Sequence, residues 1–422
     1  MTGLPQPRRA ALAFIFVTVA LDMLALGIVI PVLPKLVLSF LDGDTQRAAR
    51  VYGLFGTVWA LMQFVFSPVQ GALSDSFGRR RVVLLSNVGL GLDYVLMAAS
   101  PTIGWLFLGR IVSGITAASF STAGAYIADV TPPEKRAAGF GMIGVAFGLG
   151  FVLGPAIGGL LGGFSPRLPF WVAAGASLLN ALYGFFVLPE SLPKENRMPF
   201  SWRRANPLGS LALLRSHQGL LGLSLVNFLG DVAHSALPAV FALYAGYRYN
   251  WDTRMIGLTL AGVGVSSAIV QGALVPFAAR FGDRRVLVAG LVFGAAGFAL
   301  YGFATTGTVF WLGIPVMGLW GLSGPAAQSL MTARTSPSEQ GQLQGANSSI
   351  MGIAGLFGPG LFTLTFAAFI GKDAPAHLPG APFLLAGLML VLAAAVAVVV
   401  TRSSAAATLS PVRPTSTRSG AR

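Results

Sequence analysis

Six ionisable side chains stand within, or at the ends of, otherwise apolar stretches of this chain. They are Asp22, Asp93, Arg110, Asp129, Asp231 and His234. In surroundings of low dielectric constant the ionised form of a carboxyl group is disfavoured, so such a group can take up and release a proton. If a proton and a cargo compete for one carboxylate, each displaces the other, and a proton gradient can drive the cargo uphill.

The positions of these residues separate their expected roles. We rank Asp22 first as the proton-coupling carboxylate, Asp93 second and Asp231 third, whereas Asp129 lies near a helix end and is expected to be structural. His234 follows Asp231 by three positions, so the two share a helix face and could act as a coupled pair. A packed histidine without a coupling role stays open. Each carboxylate could also serve only as a hydrogen-bond partner in helix packing.

Other polar residues in apolar stretches have two readings. An arginine is costly there unless it faces the bundle interior and finds a partner, so Arg110 is a functional candidate, with snorkelling to the membrane edge as the alternative. Six amides could line a polar cavity or merely join helices. They are Gln63, Asn87, Asn227, Gln271, Gln328 and Asn347.

The composition places these residues in a membrane protein. Apolar residues make up 54% of the 422 positions and charged residues 10%, whereas soluble domains carry about 25% charged residues. The chain has no cysteine and three histidines. Disulfides and thiolate chemistry are therefore excluded, and no nucleophile–base or metal-ligand constellation appears. We expect no enzyme and no resident cofactor or metal.

Apolar runs long enough to cross about 30 Å of hydrocarbon occur twelve times. Their extents are 10–33, 50–71, 82–100, 104–128, 138–163, 168–188, 219–242, 254–277, 285–303, 309–331, 342–369 and 380–401. If the amino terminus is cytoplasmic, 20 of the 28 Lys and Arg residues fall on the inside. This bias predicts a multi-pass protein of the inner membrane with both termini cytoplasmic, and it accounts for the basic charge without nucleic acid.

The chain repeats itself. Three glycine pairs, Gly78 and Gly282, Gly114 and Gly318, and Gly154 and Gly358, share one offset along the sequence. The repeat predicts two pseudo-symmetric six-helix halves with a binding site between them. The expected domains are 1–188 and 219–401, joined by a cytoplasmic linker, 189–218, and followed by a disordered tail, 402–422.

The residue types of two motifs indicate what each motif does in the structure. In the loop after the second run, Asp75 ends a helix, Gly78 permits a tight turn, and the arginines can pair with Asp75 or Asp129 to hold an inner gate shut; simple anchoring by positive charge is the alternative. The members of this gating motif are Gly71, Asp75, Gly78, Arg79, Arg80 and Asp129.

In the fifth run, glycines spaced by four make one bare face that another helix can approach closely. That motif comprises Gly150, Gly154, Pro155 and Gly158.

These motifs resemble those of a known family. The loop 71–81 is similar to the major facilitator loop signature, the fifth run to the signature of facilitator antiporters, and 27–34 and 109–114 to signatures of drug:proton antiporters. Further strings resemble the tetracycline-efflux branch, most strongly over residues 10–191. They are 21–34, 61–81, Asp93-Tyr94, 124–129, 163–166, 188–191 and 341–345.

The resemblance implies the twelve-helix facilitator fold and required charges at Asp22, Asp75, Arg79 and Asp93. It also implies a tetracycline–divalent metal cation as the substrate, exchanged for a proton. The carboxyl-terminal half departs from the branch, which carries an acidic residue in its ninth span and in some classes a histidine in its eighth. Here Gly294 stands near the acidic position and 254–277 has no histidine, so the substrate stays open.

The sequence therefore predicts a proton-driven efflux antiporter for a small organic compound, functional as a monomer in the lipid bilayer. A proton-coupled importer would use the same fold and carboxylates but does not need the glycines of the fifth run. A receptor or scaffold is disfavoured because the short loops leave little docking surface.

Overall fold

The protein is a bundle of long apolar helices. The computed structural model describes residues 6–116, 119–131, 136–202, 206, 208–217, 219–336, 339–372, 374 and 376–408. Within these ranges the regular structure is helical, without a β-strand. Eleven of the described helices are long and apolar enough to cross a membrane. The predicted all-α membrane fold is therefore confirmed.

We number the membrane segments as spans 1 to 12 in chain order. They are Gln6–Val29 with Leu33–Ser39 (span 1), Thr45–Phe77 (span 2), Arg79–Ala99 (span 3), Ile103–Thr116 with Ser119–Val130 (span 4), Arg136–Gly162 (span 5), Leu168–Val187 (span 6), Leu220–His234 with Ala236–Tyr249 (span 7), Thr253–Ile269 with Val275–Ala278 (span 8), Asp283–Phe303 (span 9), Gly307–Gly318 with Ser323–Thr332 (span 10), Gln340–Ile370 (span 11) and Ala381–Thr408 (span 12).

The fourth predicted segment, 104–128, explains why eleven rather than twelve spanning helices are found. It corresponds to two shorter helices, one on each side of residues 117–118, which lie outside the described residues. Spans 7 and 10 are also built from two helices each, and a π-helical turn, Val270–Leu274, interrupts span 8 just before Pro276. Proline lacks a backbone N–H, so a change in the hydrogen-bond ladder is expected there.

The tail and the linker, the two segments predicted outside the spans, both contain helical structure. The tail expected to be disordered from 402 begins instead as the last turns of span 12, which runs to Thr408; residues 409–422 lie outside the described residues. Residues 405–407, past the apolar run, are all Ala, the residue of highest helix propensity, so a helical continuation is compatible with the sequence. The linker 189–218 contains two short 3₁₀ helices, Lys194–Asn196 and Gly209–Arg215.

The contacts between spans follow the repeat predicted from the glycine pairs. Spans 1 and 5 pack together as spans 7 and 11 do, spans 3 and 6 as spans 9 and 12 do, and spans 2 and 4 as spans 8 and 10 do. Gly78 and Gly282, which turn the chain into spans 3 and 9, both have positive φ, at 101° and 84°. Glycine tolerates this conformation without steric cost, so the two tight turns are formed alike.

The two halves meet through span 2 against span 11 and span 5 against span 8. The hydrogen bonds that join described spans of the two halves lie in the part predicted to face outward. Lys35 Nζ donates to the carbonyl of Trp251 at 2.9 Å, and Gln46 Nε2 donates to that of Ala367 at 3.0 Å. Toward the other end of span 5, a side chain at Gly148 would meet no heavy atom within 4 Å. The described halves are thus closed against each other at one end of the bundle.

Candidate functional site

The amino-terminal half holds three buried charged residues at the depth of the membrane. Asp22 in span 1 is 6% exposed. Asp93 in span 3 and Arg110 in span 4 form an ion pair, with 3.6 Å between Asp93 Oδ2 and Arg110 Nη2 and side-chain exposures of 0% and 8%. Tyr94 lies within electrostatic reach of all three. The carboxylates ranked first and second from the sequence are therefore both buried in the amino-terminal half, and the arginine is the partner of Asp93.

The gating motif lies where span 2 turns into span 3. Arg79 forms ion pairs with Asp75 and with Asp129, the latter at 3.2 Å from Arg79 Nε to Asp129 Oδ2. Its Nη1 also donates to Ser74 Oγ at 2.6 Å. The guanidinium thus joins the end of span 2 to the end of span 4 within the amino-terminal half, in the pairing expected from the sequence. Its expected role in holding an inner gate shut stays a prediction. Gly71 makes no close approach, since a side chain there would meet no described heavy atom within 4 Å.

The start of the linker docks on this motif, a feature that sequence reasoning missed. Glu190 Oε1 accepts a hydrogen bond from the backbone N–H of Arg79 at 2.9 Å, and Glu190 Oε2 lies 3.5 Å from Arg197 Nη2. Ser191 Oγ donates to Asp129 Oδ2 at 3.0 Å. A carboxylate at the first turn of span 3 is favoured by the unpaired N–H groups of a helix amino terminus. The only sequence signal was an acidic residue directly after span 6.

Arg80, the other arginine of the motif, takes a different partner. Its Nη2 donates to the carbonyl of Phe185 at 2.5 Å and its guanidinium lies 5.7 Å from the centre of the Phe185 ring. Arg80 therefore anchors span 3 to span 6, whereas Asp75 and Asp129 both pair with Arg79.

The equivalent loop of the carboxyl-terminal half is built more loosely. Ser329 Oγ donates to Asp283 Oδ2 at 2.5 Å, which joins spans 9 and 10. The end of the linker reaches the same face, where His217 Nε2 lies 3.4 Å from Glu339 Oε2. The pKa of Glu339 lies below its usual range because the backbone N–H and the hydroxyl of Ser336 both donate to this carboxylate. Each end of the linker thus contacts the gate-side loop of one half.

We expect Arg79→Ala to slow transport about tenfold while leaving substrate binding unchanged, because the variant loses two partly buried ion pairs worth about 1 kcal/mol or less each. Turnover and Kd measured separately on purified protein would check this. Arg81→Ala removes the neighbouring charge, which forms no ion pair with the described residues, and serves as the control. If Arg79→Ala transports as fast as the control, the motif merely anchors the loop.

Span 5 presents its bare glycine face to span 1. Ideal Cβ atoms built on Gly150, Gly154 and Gly158 would lie within 3 Å of the backbone of span 1, near Met23, Gly27 and Ile28. On the other side of the same helix, a Cβ on Gly159 would lie 2.8 Å from the Cα atom of Gly257 in span 8. The helix continues through Pro155. Span 5 is thus packed backbone to backbone on both halves.

Gly158→Val is expected to destabilise the protein by about 1–3 kcal/mol or more, because overpacking forces two closely packed backbones apart. The built Cβ lies 2.8 Å from the Cα atom of Ile28. The measurement is the melting temperature of the detergent-solubilised protein. Gly148→Val changes the same helix where no heavy atom lies within 4 Å, so it should melt within a few degrees of the parent. Equal melting of both variants and the parent would contradict tight packing at Gly158.

A cavity of 370 Å³ lies in the carboxyl-terminal half, between spans 7, 8, 9 and 10 and beside Phe151 of span 5. Asp231, His234, Asn227 and Gln271 all line it. The predicted pair on span 7 therefore faces one cavity together with two of the six predicted amides.

The remaining four amides do not line this cavity. Asn87 is fully buried in span 3. Asn347 Nδ2 donates to Gln328 Oε1 at 2.9 Å and so joins spans 11 and 10. Gln63 is half-buried on span 2. The burial of each amide and the residue it bonds depend on how its helix is rotated about its axis. The presence of an amide within a span does not reveal that rotation.

The space beside Gly294 in span 9, where a larger residue would place its side chain, is occupied by Trp320 and Leu390. A Cβ built on Gly294 would lie 2.7 Å from Trp320 Cγ and 2.7 Å from Leu390 Cδ1. The indole ring of Trp320 packs 5.7 Å from the imidazole ring of His234, centre to centre. A larger residue at this point of span 9 would displace the indole. Elsewhere, no group of three or more His, Asp or Glu side chains in the described part of the chain could hold a metal ion.

Comparison with known proteins agrees with this architecture. The family model of the Major Facilitator Superfamily matches residues 15–275 and 223–419. The chain therefore belongs to the major facilitator superfamily, a family of membrane transporters.

Among curated relatives, the class C tetracycline resistance protein of Escherichia coli is 40% identical over 85% of this chain and 90% of its own length. The class G protein of Vibrio anguillarum is 37% identical over 86% of this chain and 92% of its own length. These relatives confirm the predicted resemblance to the tetracycline-efflux branch.

Solved structures share the fold. The human organic anion transporter TETRAN has a TM-score of 0.69 at 26% identity and covers 93% of this chain and 100% of its own. A bacterial homologue of the human lysosomal transporter Spinster, in an inward-facing and unoccupied conformation, has a TM-score of 0.76 at 17% identity, covering 97% of this chain and 100% of its own.

Proposed function

We propose that this chain exports a tetracycline-class drug from the cytoplasm, as its complex with a divalent cation, in exchange for protons. The observation that carries the proposal is 40% identity over 90% of the length of a tetracycline resistance protein. Membership of the superfamily and the relatives together support proton-driven drug efflux. The cation belongs to the cargo, and no resident cofactor is needed.

In this proposal Asp22 and Asp93 carry the coupling. Both are buried carboxylates of the amino-terminal half that share Tyr94 as a neighbour. A cationic cargo that approaches either carboxylate stabilises its ionised form and releases its proton, and reprotonation from outside expels the cargo. Arg110, 3.6 Å from Asp93, compensates that carboxylate once its proton has left.

We place the linker and both termini on the cytoplasmic side of the inner membrane, so that the closed end of the bundle faces outward. Basic residues concentrated in the linker and in the loops around Arg79 and Arg284 support this orientation. The conformation is then inward-facing, and the chain is expected to work as a monomer.

The orientation is tested by cysteine labelling, because the chain contains no cysteine of its own. Asn196→Cys should be labelled from the cytoplasmic side and Asp42→Cys from the outer side. Labelling of both variants from one side would overturn the orientation.

The function is tested in energised inside-out vesicles that contain the protein. Addition of tetracycline with Mg²⁺ should dissipate the pH gradient, as the drug enters the vesicle and protons leave. Vesicles that carry Asp22→Asn supply the control. If neither tetracycline nor any member of a drug panel dissipates the gradient, antiport is contradicted, and the importer becomes the better hypothesis.

A further inference from the structure

The cavity of the carboxyl-terminal half has an unusual charge balance. Asp231 is the one acidic residue among its described lining residues, and no Lys or Arg lines it. Among the described residues, Asp231 forms no ion pair. A carboxylate in a membrane-embedded cavity is costly unless a positive charge compensates it. The described lining supplies no Lys or Arg, so the compensating charge has to come from a proton, on Asp231 or on the neighbouring His234, or from a ligand.

The rest of the lining favours a ligand with an aromatic surface. Trp320 and Phe151 present rings to the same cavity, and His234 packs on Trp320 with 5.7 Å between the ring centres. An indole face attracts a cation most strongly of the aromatic side chains. Asn227 and Gln271 add hydrogen-bonding amides. One charge, several rings and few polar groups are typical of a pocket for a small amphiphilic molecule.

The shape of the cavity depends on Gly294. Trp320 Cγ lies 2.7 Å from where a Cβ would stand on that glycine, and the ring of Phe298 lies near the indole, with 5.8 Å between ring centres. The absence of a side chain in span 9 thus fixes the indole against span 7. Within the cavity, the negative charge comes from span 7 and the aromatic wall from span 10.

We propose that this cavity is a binding site for a monovalent organic cation with aromatic rings, held by Asp231 and the ring of Trp320 without a metal ion. The inference rests on the proposed export function and widens its cargo from metal chelates to metal-free cations. A volume of 370 Å³ lies in the range of about 300–1,000 Å³ that small-molecule pockets occupy.

The test is equilibrium binding of tetraphenylphosphonium, which has no metal-chelating atom, to the purified full-length protein in lipid nanodiscs. Wild-type protein should bind the probe in the presence of EDTA. Asp231→Asn should weaken binding at least tenfold, about the effect of losing one ion pair, whereas Asp231→Glu should stay within about threefold. Asp42→Asn makes the same chemical change at an exposed loop position and should bind as the wild type does.

A second measurement does not depend on whether Asp231→Asn folds. Modification of Asp231 by dicyclohexylcarbodiimide in wild-type protein, followed by mass spectrometry, should be slowed by the probe. The inference is overturned if the probe does not bind, if Asp231→Asn binds it as tightly as wild type, or if the probe fails to protect Asp231. If tetracycline antiport is observed in vesicles but binding of the probe does not depend on Asp231, the inference fails and the proposed function stands. If the probe binds through Asp231 but no antiport is observed, the proposed function fails and the binding site stands.

Discussion

Asp22→Asn is expected to abolish uphill drug export. Asparagine has the shape of aspartate but cannot take up a proton, so the variant binds cargo without coupling it to the gradient. A proton-motive force of 100 mV can sustain a concentration ratio of about 50 for each coupled proton, since it supplies about 2.3 kcal/mol. We expect that ratio to fall toward one, as measured by drug accumulation in inside-out vesicles.

The control for this variant is insertion and folding. Asp22 lies 6% exposed in span 1, and a neutral amide is less costly than a carboxylate in the membrane, so the variant should reach the membrane at the parental level. Asp42→Asn, at an exposed position, should export normally. Drug resistance retained in cells that carry Asp22→Asn would remove this residue from the mechanism.

Arg110→Ala should have the largest effect on stability. The change leaves the carboxylate of Asp93, which has 0% side-chain exposure, without its partner at 3.6 Å. Breaking a buried ion pair from one side costs about 3–5 kcal/mol. The arginine also donates to Met97 Sδ at 3.2 Å, and that contact is lost too. We expect a steep fall in the melting temperature and in the yield of monodisperse protein.

The double variant Asp93→Asn with Arg110→Ala separates the pair from ordinary packing. Because it removes both charges, it should recover a large part of the stability lost in Arg110→Ala, although it should not recover export. If the double variant is no more stable than Arg110→Ala, the arginine acts by packing or by reaching the membrane edge, and the ion pair contributes little to the stability of the protein.

Much of the fold was predictable because hydrophobic length is a local property of a sequence. The spans, the turn glycines Gly78 and Gly282, and the close packing expected of Gly150, Gly154 and Gly158 all follow from residues a few positions apart. The pairing of Arg79 with Asp75 and Asp129 was also predicted, because opposite charges at helix ends on one membrane face attract each other. The extension of span 12 to Thr408 was not, because a mixture of Ser and Ala is compatible with helix or coil.

The missed features depend on contacts between distant segments. Glu190 reaches the start of span 3 across 111 positions, and nothing in a single sequence shows which carboxylate a distant N–H will find. Trp320 filling the space beside Gly294, and the burial of Asn87, depend on how each helix is rotated about its axis. Periodicity says that a helix forms, whereas the neighbour that faces each residue is decided by tertiary packing.

The central claim is that buried carboxylates of the amino-terminal half exchange protons for a cationic cargo. It is tested most directly in proteoliposomes that contain only this purified protein, with an imposed pH gradient and no membrane potential. Uptake of tetracycline with Mg²⁺ into liposomes with an acidic interior should exceed equilibrium, and proton efflux should accompany it. Uptake that only reaches equilibrium, and is the same with and without the gradient, would contradict the account.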